Sequence, residues 1–536
     1  MKIAIAQINC TVGDLCGNRL KIIDYAQRAY LLGASLMITP ELALSGYPPE
    51  DLLMRHDFNE ACAAELTKLS LALPQITLLV GHPHQINGQL FNAASVLQNG
   101  KITVTYHKHA LPNHSVFDEL RYFTAGNDAL VFEHLGTKFG VLICADVWEE
   151  NPAQMAKKAG AEFLLALNAS PYHIDKLTTR VEILSERVRE TGLGILYANM
   201  VGGQDELVFD GASFVLNNIG RITQQLPAFE ETLNIVELID NNPVALAPAP
   251  ALTLEASVYS ALKLGLADYV NKNGFPSVVL GLSGGIDSAL TLAIAVDALG
   301  SKRVKVVMMP SEFTADISIN DAQEMAKLVG VAYSELAIKG LFELFRETLA
   351  PEFKDLPFDT AEENLQARIR GMLLMALSNK FGSIVLTTGN KSEMAVGYST
   401  LYGDMAGGFS LLKDVPKTLV YKLAQYRNSI SQIIPQRIIT RPPSAELRAG
   451  QTDQDSLPSY DILDAIMQAY IEEDLSHDEI IKRGYSIKDV KRVTQLIDRN
   501  EYKRRQAPVG VRITQRGFGK DRRYPITCKL DFASKI

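Results

Sequence analysis

One stretch decides the fold of the second half of the chain: Ser277-Val278-Val279-Leu280-Gly281-Leu282-Ser283-Gly284-Gly285-Ile286-Asp287-Ser288, which an apolar run over 289–299 follows. Its first residues are aliphatic and β-branched, a pattern typical of a parallel strand that helices cover on both faces. The paired glycines predict a tight turn, because glycine accepts positive φ and the close approach of a ligand. The apolar run predicts a helix whose free N–H groups and positive dipole end point at the turn. The stretch therefore predicts a phosphate site.

The hexapeptide over 283–288 differs from the common phosphate loops, since it contains neither G-x-x-x-x-G-K-[ST] nor G-x-G-x-x-G. A plain helix-capping turn, with Asp287 or Ser288 as the cap, is the alternative interpretation. The hexapeptide resembles the S-G-G-x-D-S loop of the ATP pyrophosphatases, enzymes that split ATP into AMP and pyrophosphate. This resemblance implies that the following residues bind ATP: Gly281, Leu282, Ser283, Gly284, Gly285, Ile286, Asp287 and Ser288.

Length and composition bound the class of protein. A chain of 536 residues predicts two or three domains. With 47% hydrophobic and 21% charged residues it has the composition of a soluble globular protein, and a net charge of −8 argues against general nucleic-acid binding. Five cysteines without C-x-x-C spacing argue against a disulfide framework or a zinc site. No signal peptide and no apolar run of about 20 residues is evident, so a cytoplasmic enzyme without a membrane span is expected.

The first half of the chain alternates short apolar strands with helical stretches, which predicts layered α/β sheets. An amphipathic helix is predicted over 18–32, and strands are predicted over 3–8, 36–39, 76–80, 93–97, 101–106, 139–143, 163–167 and 195–198. Glu41, Lys108 and Cys144 follow the ends of three of these strands, where α/β proteins tend to place their chemistry. Taken singly, each also has a structural explanation: a helix-capping Glu, a solvated Lys and a small buried Cys.

Three dispersed motifs contain these residues in the order Glu, Lys, Cys. They are Pro40-Glu41-Leu42, Lys108-His109-Ala110-Leu111-Pro112-Asn113 and Cys144-Ala145-Asp146-Val147-Trp148-Glu149. Together with Glu119 in the segment 117–123 and the segment Asn168-Ala169-Ser170-Pro171-Tyr172, they resemble the nitrilase superfamily over about residues 1–240. The resemblance implies a four-layer α-β-β-α sandwich, a catalytic Glu41–Lys108–Cys144 set and a supporting Glu119.

The chemistry of the three residues agrees with amide hydrolysis. A thiol near its ordinary pKa of about 8.5 becomes a nucleophile when a base removes its proton. Glu41 is expected to be that base and to return a proton to the departing ammonia. Lys108 is expected to stabilise the thiolate and the oxyanion of the tetrahedral intermediate. The resemblance also implies that glutamine is the amide and that His114, Ser170 and Lys176 bind it, with His114 standing where the family usually has tyrosine.

A proline-rich segment over 241–250 predicts a linker, so the expected domains are 1–245 and 246–536. An amphipathic helix over 252–271 follows. Strands over 304–309 and 384–388 and a helix over 319–329 continue the βα pattern, which predicts a doubly wound parallel sheet. The ligand crevice of such a sheet lies at the carboxyl ends of its strands.

The later motifs resemble the NAD synthetase family over nearly all of 255–536. They are Glu363-Asn364-Leu365-Gln366-Ala367-Arg368-Ile369-Arg370, Thr387-Thr388-Gly389-Asn390-Lys391-Ser392-Glu393, Tyr402-Gly403-Asp404, Arg441-Pro442-Pro443-Ser444-Ala445-Glu446-Leu447 and Tyr502-Lys503-Arg504. The resemblance implies that Thr388 and Lys417 contact ATP, Lys417 from a mobile loop. It implies Asp287 and Glu393 as magnesium ligands, and carboxylates suit a hard cation that bridges phosphates. Deamido-NAD would be bound by Asn364, Glu393, Asp404 and Lys503.

The fusion of the two halves is similar to the glutamine-dependent form of that family. It implies an ATP-dependent, Mg2+-assisted amidation of deamido-NAD to NAD through an acyl adenylate, with ammonia from L-glutamine. One alternative is another adenylating amidotransferase with a different carboxylate acceptor, and another is a non-enzymatic scaffold that kept the fold. The expected partners are small-molecule substrates and a second copy of the chain at the dinucleotide site, without nucleic acid or membrane.

Overall fold

The computed structural model describes residues 1–354, 356–448, 450–451, 453–455 and 457–528. The end of the predicted second domain, 529–536, lies outside the described residues. Two compact units divide the chain between Ala251 and Leu252, next to the predicted linker. Among the described residues, no helix combines the length and apolarity that a membrane crossing requires.

The first unit contains two mixed β-sheets, a two-stranded antiparallel sheet and four α-helices. Its strands are β1 (Lys2–Gln7), β2 (Leu36–Ile38), β3 (Thr77–Ile86), β4 (Gln89–Gln98), β5 (Lys101–His107), β6 (Val131–His134), β7 (Thr137–Ile143), β8 (Phe163–Asn168), β9 (Gly194–Asn199), β10 (Val201–Gln204), β11 (Leu207–Asp210), β12 (Phe214–Leu216), β13 (Ile222–Gln225), β14 (Thr232–Ile239) and β15 (Asn242–Pro243). Its helices are α1 (Leu15–Leu31), α2 (His56–Ala72), α3 (Glu150–Lys158) and α4 (Lys176–Thr191). The strand orders of the mixed sheets are β15-β14-β1-β2-β3-β4-β5 and β13-β12-β9-β8-β7-β6, and β10 and β11 form the two-stranded sheet.

Alternation of side chains along the strands builds four layers. Ile3 and Ile38 of the first sheet pack against Val141 and Leu165 of the second in a core between the sheets. The intervening residues, such as Met37, face the opposite way and pack under α1 and α2. The outer face of the second sheet is covered in the same manner by α3 and α4. The predicted α-β-β-α sandwich is therefore confirmed, and it places the carboxyl ends of β2, β5 and β7 close together.

The second unit contains a parallel sheet with helices on both sides. Its strands are β16 (Val278–Gly281), β17 (Val304–Met308), β18 (Ala332–Glu335), β19 (Ile384–Thr387) and β20 (Phe409–Ser410). Its helices are α5 (Leu254–Lys272), α6 (Ile286–Leu299), α7 (Asp316–Val329), α8 (Lys339–Phe353), α9 (Thr360–Phe381), α10 (Lys391–Val396), α11 (Lys417–Ile430), α12 (Gln436–Thr440), α13 (Tyr460–Ile471), α14 (His477–Lys482), α15 (Ile487–Arg499) and α16 (Glu501–Arg504).

The strand order β18-β17-β16-β19-β20 confirms the doubly wound sheet, with all pairings parallel. The chain runs outward from β16 to β18 and then returns to the other side of β16, so the switch point lies between β16 and β19. A crevice is expected at the carboxyl ends of these two strands. The glycine turn follows β16, and the segment from Thr388 to Glu393 follows β19.

Candidate active sites

Glu41, Lys108 and Cys144 lie together in the first unit and are 0, 1 and 5% exposed. The Lys108 ammonium donates to Glu41 Oε1 at 2.6 Å and to both Glu119 carboxylate oxygens at 2.8 Å. Glu41 also accepts hydrogen bonds from Asn92 Nδ2 at 2.8 Å and from the Ala169 amide at 3.0 Å. Glu41 and Glu119, which lie 78 positions apart in the sequence, are therefore joined through Lys108 in one buried charged cluster.

The electrostatics of this cluster keep the thiol protonated and the ammonium charged. Burial and the nearby Glu41 carboxylate raise the pKa of the Cys144 thiol well above its ordinary value, and Lys108 opposes them only in part. Burial alone would lower the pKa of Lys108, but the Glu119 and Glu41 carboxylates outweigh it and raise that pKa. Burial raises the pKa of Glu119 to about 7 against the ammonium. A nucleophilic role for Cys144 would therefore require a base to take the thiol proton, and Glu41 is in the same cluster.

Cys144 occupies a strained turn directly after β7. Its φ is +42°, in the left-handed region that non-glycine residues rarely adopt, and a 3₁₀ turn over Cys144–Trp148 follows. Backbone strain of this kind persists only where the surroundings hold it, and it is common at functional sites. The turn directs the side chain away from the regular alternation of the strand.

Asp146 holds this turn, a role that the sequence analysis did not assign. Its Oδ1 accepts from the amides of His109 and Ala110 at 3.0 and 2.8 Å, and its Oδ2 accepts from the Ile143 amide at 2.9 Å. The Tyr106 hydroxyl completes the set at 2.8 Å. One fully buried carboxylate thus connects the segment after Lys108 to the residue before Cys144. The sequence feature that could have identified Asp146 is the presence of a carboxylate two residues after the cysteine.

The three expected glutamine-binding residues differ in their surroundings. Ser170 is buried, and its hydroxyl accepts from Arg180 Nε at 3.1 Å. Lys176 begins α4, with its ammonium 4.0 Å from the centroid of the Trp148 ring, four residues after Cys144. His114 is exposed and makes an edge-on contact with Phe117.

The glycine turn between β16 and α6 has the predicted shape. Gly284 has a φ of +79°, and a Cβ there would lie 2.4 Å from the Ser318 carbonyl oxygen, so only glycine fits without a shift. The Ser288 hydroxyl donates to the Gly285 carbonyl at 2.9 Å and accepts from the Ser283 amide at 3.3 Å. The turn is therefore fixed from within, with the N-terminus of α6 behind it.

A cavity of about 300 Å³ opens at this turn. The expected site residues that line it are Gly281, Leu282, Ser283, Gly284, Gly285, Ile286, Asp287, Ser288, Thr388, Glu393, Asp404 and Lys417. Asn364 and Lys503 are not among the lining residues. Asn364 accepts from the hydroxyl of Thr400, which does line the cavity, at 2.7 Å. Lys503 donates to the Gly397 and Ser399 carbonyls at 2.8 Å.

Asp287, Glu393 and Lys417 form the charged floor of the cavity. The Lys417 ammonium lies 2.5 Å from Asp287 Oδ2 and 3.2 Å from Glu393 Oε1. Burial raises the pKa of Glu393 to about 8, against the effect of Lys417. Asn390, a residue without an expected role, caps α10 and donates to Asp287 Oδ1 at 2.9 Å. Asp287 and Glu393 are the residues here that would hold a magnesium ion, because Mg2+ prefers carboxylate oxygens as protein ligands.

The structure corrects the expected location of Lys417. The resemblance placed it on a mobile loop, whereas it is the first residue of α11 and only 2% exposed. Pro416 before it favours a helix start because its φ is preset, and the backbone amide of Lys417 donates to the Ser392 hydroxyl at 2.8 Å.

Two arginines also line the cavity. Arg370 lines the cavity, its Nε donates to the Met309 carbonyl at 3.0 Å, and burial lowers its pKa to about 10. Arg441 bonds the Ser318 hydroxyl at 2.6 Å and pairs with Glu446. Both arginines lie within motifs that resemble the NAD synthetase family. The spacing of the motif residues does not indicate which side of α9, or of the loop that contains Arg441, faces the cavity.

Comparison with known proteins agrees with this architecture. The family model for carbon-nitrogen hydrolases matches residues 2–242, and that for NAD synthase matches residues 258–507. The glutamine-dependent NAD(+) synthetase of Acinetobacter baylyi is 50% identical over 530 residues, 98% of either chain. The enzyme of the same name from Thermotoga maritima is 45% identical over 567 residues, again 98% of each. The chain belongs to the glutamine-dependent NAD(+) synthetase family.

Two solved members of the glutamine-dependent NAD(+) synthetase family share the fold. The Acinetobacter baumannii enzyme, solved with ADP, is 49% identical, covers 98% of both chains and superposes with a TM-score of 0.81. The Cytophaga hutchinsonii enzyme is 21% identical with a TM-score of 0.86, covers 100% of this chain and 98% of its own, and supports the fold alone. The protein is thus a glutamine-hydrolysing ligase that forms NAD from deamido-NAD with ATP. The comparisons therefore do not support the two alternatives, an adenylating amidotransferase with a different carboxylate acceptor and a non-enzymatic scaffold.

Proposed function

We propose that the two sites divide this reaction, the first unit releasing ammonia and the second consuming it. The observation that carries the proposal is the pair of chemically distinct sites. One is a buried thiol with a carboxylate and an ammonium, and the other is a cavity at a glycine turn with two carboxylates and Lys417. Free ammonia is mostly protonated near neutral pH, so a dedicated source of it has a clear purpose.

At the first site, the Cys144 sulfur attacks the carboxamide carbon of glutamine while Glu41 takes the thiol proton. Lys108 stabilises the oxyanion of the tetrahedral intermediate. Collapse of the intermediate breaks the carbon–nitrogen bond, and the proton held by Glu41 leaves with ammonia. Water then hydrolyses the thioester, with Glu41 as the base, and releases glutamate. Glu119 holds the Lys108 ammonium from the other side, so Lys108 stays oriented after Glu41 is protonated.

Ser170 and Lys176 are proposed to bind the polar ends of glutamine. Arg180 fixes Ser170 by two contacts, from Nε to its hydroxyl at 3.1 Å and from Nη2 to its carbonyl at 2.7 Å. Lys176 over Trp148 is suited to the α-carboxylate of glutamine. His114, exposed beside Phe117, is the weakest of the three proposed ligands in its contacts.

At the second site, the turn over 281–288 and Thr388 bind the ATP phosphates, and the ADP in the Acinetobacter baumannii structure supports a nucleotide in this family's cavity. A carboxylate oxygen of deamido-NAD attacks the α-phosphorus, pyrophosphate leaves, and ammonia then displaces AMP. Lys417 stabilises the charge that develops on the phosphates. Asp287 and Glu393 would hold Mg2+, which would neutralise phosphate charge.

Deamido-NAD is proposed to lie along α9 and Asp404. Asn364, Thr400 and Asp404 are connected, because Asn364 accepts from the Thr400 hydroxyl and Asp404 accepts from the Thr400 amide at 2.6 Å. Lys503 approaches the same loop through the Ser399 carbonyl. These contacts form a polar edge beside the cavity. The edge lies next to Glu393, which lines the cavity.

A second copy of the chain is proposed to complete this edge. Arg368, Met372 and Met375 of α9 continue the stripe on which Asn364 lies, and the two methionines are 63 and 37% exposed. Leu344 and Phe345 of α8 add exposed apolar surface nearby in sequence. Exposed apolar side chains that adjoin one another are often found at interfaces. The proposed setting of the assembly is the cytoplasm, where the five free cysteines would remain reduced.

The division of labour is tested with two variants of the whole enzyme and two nitrogen donors. Cys144→Ala is expected to abolish NAD formation from glutamine and to keep formation from ammonium salt. Asp287→Ala is expected to abolish both, while glutamine binding persists. Cys62→Ala is the matched control, because it removes another buried thiol, from α2. Equal loss with both donors in Cys144→Ala would refute the proposal, and NAD formation by Asp287→Ala would remove Asp287 from the site.

A further inference from the structure

The start of α11 has its backbone amides bound by residues of other helices. Pro416 precedes the helix and offers no side-chain cap. The Lys417 amide donates to the Ser392 hydroxyl of α10 at 2.8 Å, and the Thr418 amide donates to Asp464 Oδ2 of α13 at 2.9 Å. The first amides of a helix have no partner within it and must find acceptors elsewhere. Here Ser392 and Asp464 provide them.

Asp464 is also hydrogen-bonded to Ser392, the other acceptor. The Ser392 hydroxyl donates to Asp464 Oδ1, and the Thr418 hydroxyl donates to Oδ2 at 2.8 Å. Asp464 is 8% exposed and Ser392 is fully buried. One buried carboxylate therefore holds the beginnings of α10 and α11 together, and a carboxylate at a helix N-terminus is further favoured by the helix dipole.

The two helix starts carry the side chains that meet in the cavity. Glu393 follows Ser392 directly, Lys417 precedes Thr418, and the Glu393 carboxylate lies 3.2 Å from the Lys417 ammonium. Asp464 itself is absent from the lining of the cavity in the described part of the chain. It is therefore placed to act on the chemistry only through the residues it holds.

We propose that Asp464 is a positioning residue of the adenylation step, which fixes Lys417 and Glu393 relative to each other by clamping the first turns of α11 and α10. The inference rests on the proposed role of Lys417 at the ATP phosphates. A misplacement of about 1 Å that originates away from the reacting atoms can lower a rate by about a hundredfold. The network also explains why a lysine expected on a loop is instead ordered in a helix.

The experiment measures pyrophosphate release from ATP and deamido-NAD with ammonium salt, and glutamine hydrolysis in parallel. Asp464→Ala is expected to lower kcat for pyrophosphate release by about a hundredfold, with little change in the KM for ATP and none in glutaminase activity. Asp464→Asn is expected to lie between Asp464→Ala and the unchanged enzyme, because the amide retains one accepting oxygen. Ser392→Ala removes the connection while it leaves the carboxylate, and a smaller loss of kcat is expected.

The controls separate positioning from stability and from the role of Lys417. Ser476→Ala removes a side-chain cap from α14, where Ser476 accepts from the Glu479 amide, and is expected to leave kcat unchanged. Wild-type kcat in folded Asp464→Asn and Ser392→Ala, or an equal fall in Ser476→Ala, would overturn the proposal. Lys417→Met is expected to lose pyrophosphate release. If it does not, the proposed role of Lys417 fails, whereas loss in Lys417→Met with none in the Asp464 variants overturns the positioning role alone.

Discussion

Glu41 and Glu119 share a single ammonium, that of Lys108, in a space closed to solvent. Two carboxylates and one cation leave a net negative charge when all three groups are ionised, which burial makes unfavourable. The molecule responds by raising the pKa of Glu119 to about 7, through burial in the first place. Glu119 can therefore hold a proton beside Glu41, the proposed base.

A pH dependence of stability follows from this shift. The carboxyl of Glu119 binds its proton more tightly in the folded than in the unfolded chain, so stability is lost as the pH rises from 4.5 to about 7. Glu119→Gln cannot ionise, and the free energy of unfolding of the variant relative to the wild type is expected to rise over this range by up to about 3 kcal/mol. Thermal melts from pH 4.5 to 8 measure it, with Glu60→Gln, on the exposed face of α2, as the control. A parallel pH dependence of wild type and Glu119→Gln would contradict the assignment.

At the scale of the element, the glycine turn after β16 combines a backbone requirement with a steric one. Gly284 and Gly274 both have positive φ, of +79 and +73°. A Cβ at Gly284 would meet the Ser318 carbonyl oxygen at 2.4 Å, whereas a Cβ at Gly274 would meet nothing within 4 Å. The two positions therefore separate the cost of strain from the cost of overlap.

Gly284→Ala is expected to destabilise the protein by about 3 kcal/mol, from left-handed strain together with overlap. Gly274→Ala introduces only backbone strain and is expected to lower the free energy of unfolding by about 1 kcal/mol. Denaturant unfolding gives both values, and pyrophosphate release is expected to fall in Gly284→Ala alone. Similar losses of stability in the two variants would show that the contact with Ser318 yields at little cost.

The elements that the sequence predicted well are those with a local signal. The aliphatic run before Gly281, the two glycines and the apolar run after them specify a strand, a turn and a helix without reference to the rest of the chain. Sheet order, by contrast, depends on pairings such as Val278 with Val304 and Ile384, which lie far along the chain and leave no local trace.

The site residues also divide into those with a local sequence signal and those without one. Glu41, Lys108 and Cys144 were predicted because each stands within a motif, and the resemblance supplied their common context. Asp146 and Asp464 were not assigned roles, since a buried carboxylate that binds backbone amides looks like any other acidic residue until the amides are located. α7 begins at Asp316, ahead of the predicted 319, because polar residues of its first turn weaken the apolar period.

At the scale of the whole molecule, each unit has a hydrophobic core of its own, and the chain passes from one to the other at Ala251. The predicted boundary, 245/246 in the proline-rich segment over 241–250, lies a few residues before this division. Separate cores agree with separate chemistry, because a substitution in one unit can leave the other intact. The variants proposed above depend on that independence.

The proposed second copy of the chain is tested at the exposed stripe of α9. Met372→Lys places a charge in the centre of the stripe and is expected to lower the mass measured by light scattering and to reduce NAD formation with it. Leu328→Lys changes a residue that is 52% exposed on α7 and serves as the control. An unchanged mass in Met372→Lys would exclude this face from the assembly.

The protonated state of Cys144 also bears on the chemical durability of the enzyme. Peroxides react with thiolates rather than with thiols, so the rate of oxidation follows the fraction of thiolate and its access to solvent. Cys144 is buried, and burial together with Glu41 keeps its pKa high. Hydrogen peroxide is therefore expected to inactivate glutamine-dependent synthesis slowly in the resting enzyme, as followed by residual activity and mass. Rapid formation of a sulfenic acid at Cys144 without substrate would contradict this. In its proposed role, Cys144 would be activated only when the base and a substrate meet it, so in the intervals between turnovers it would be protected from oxidative damage.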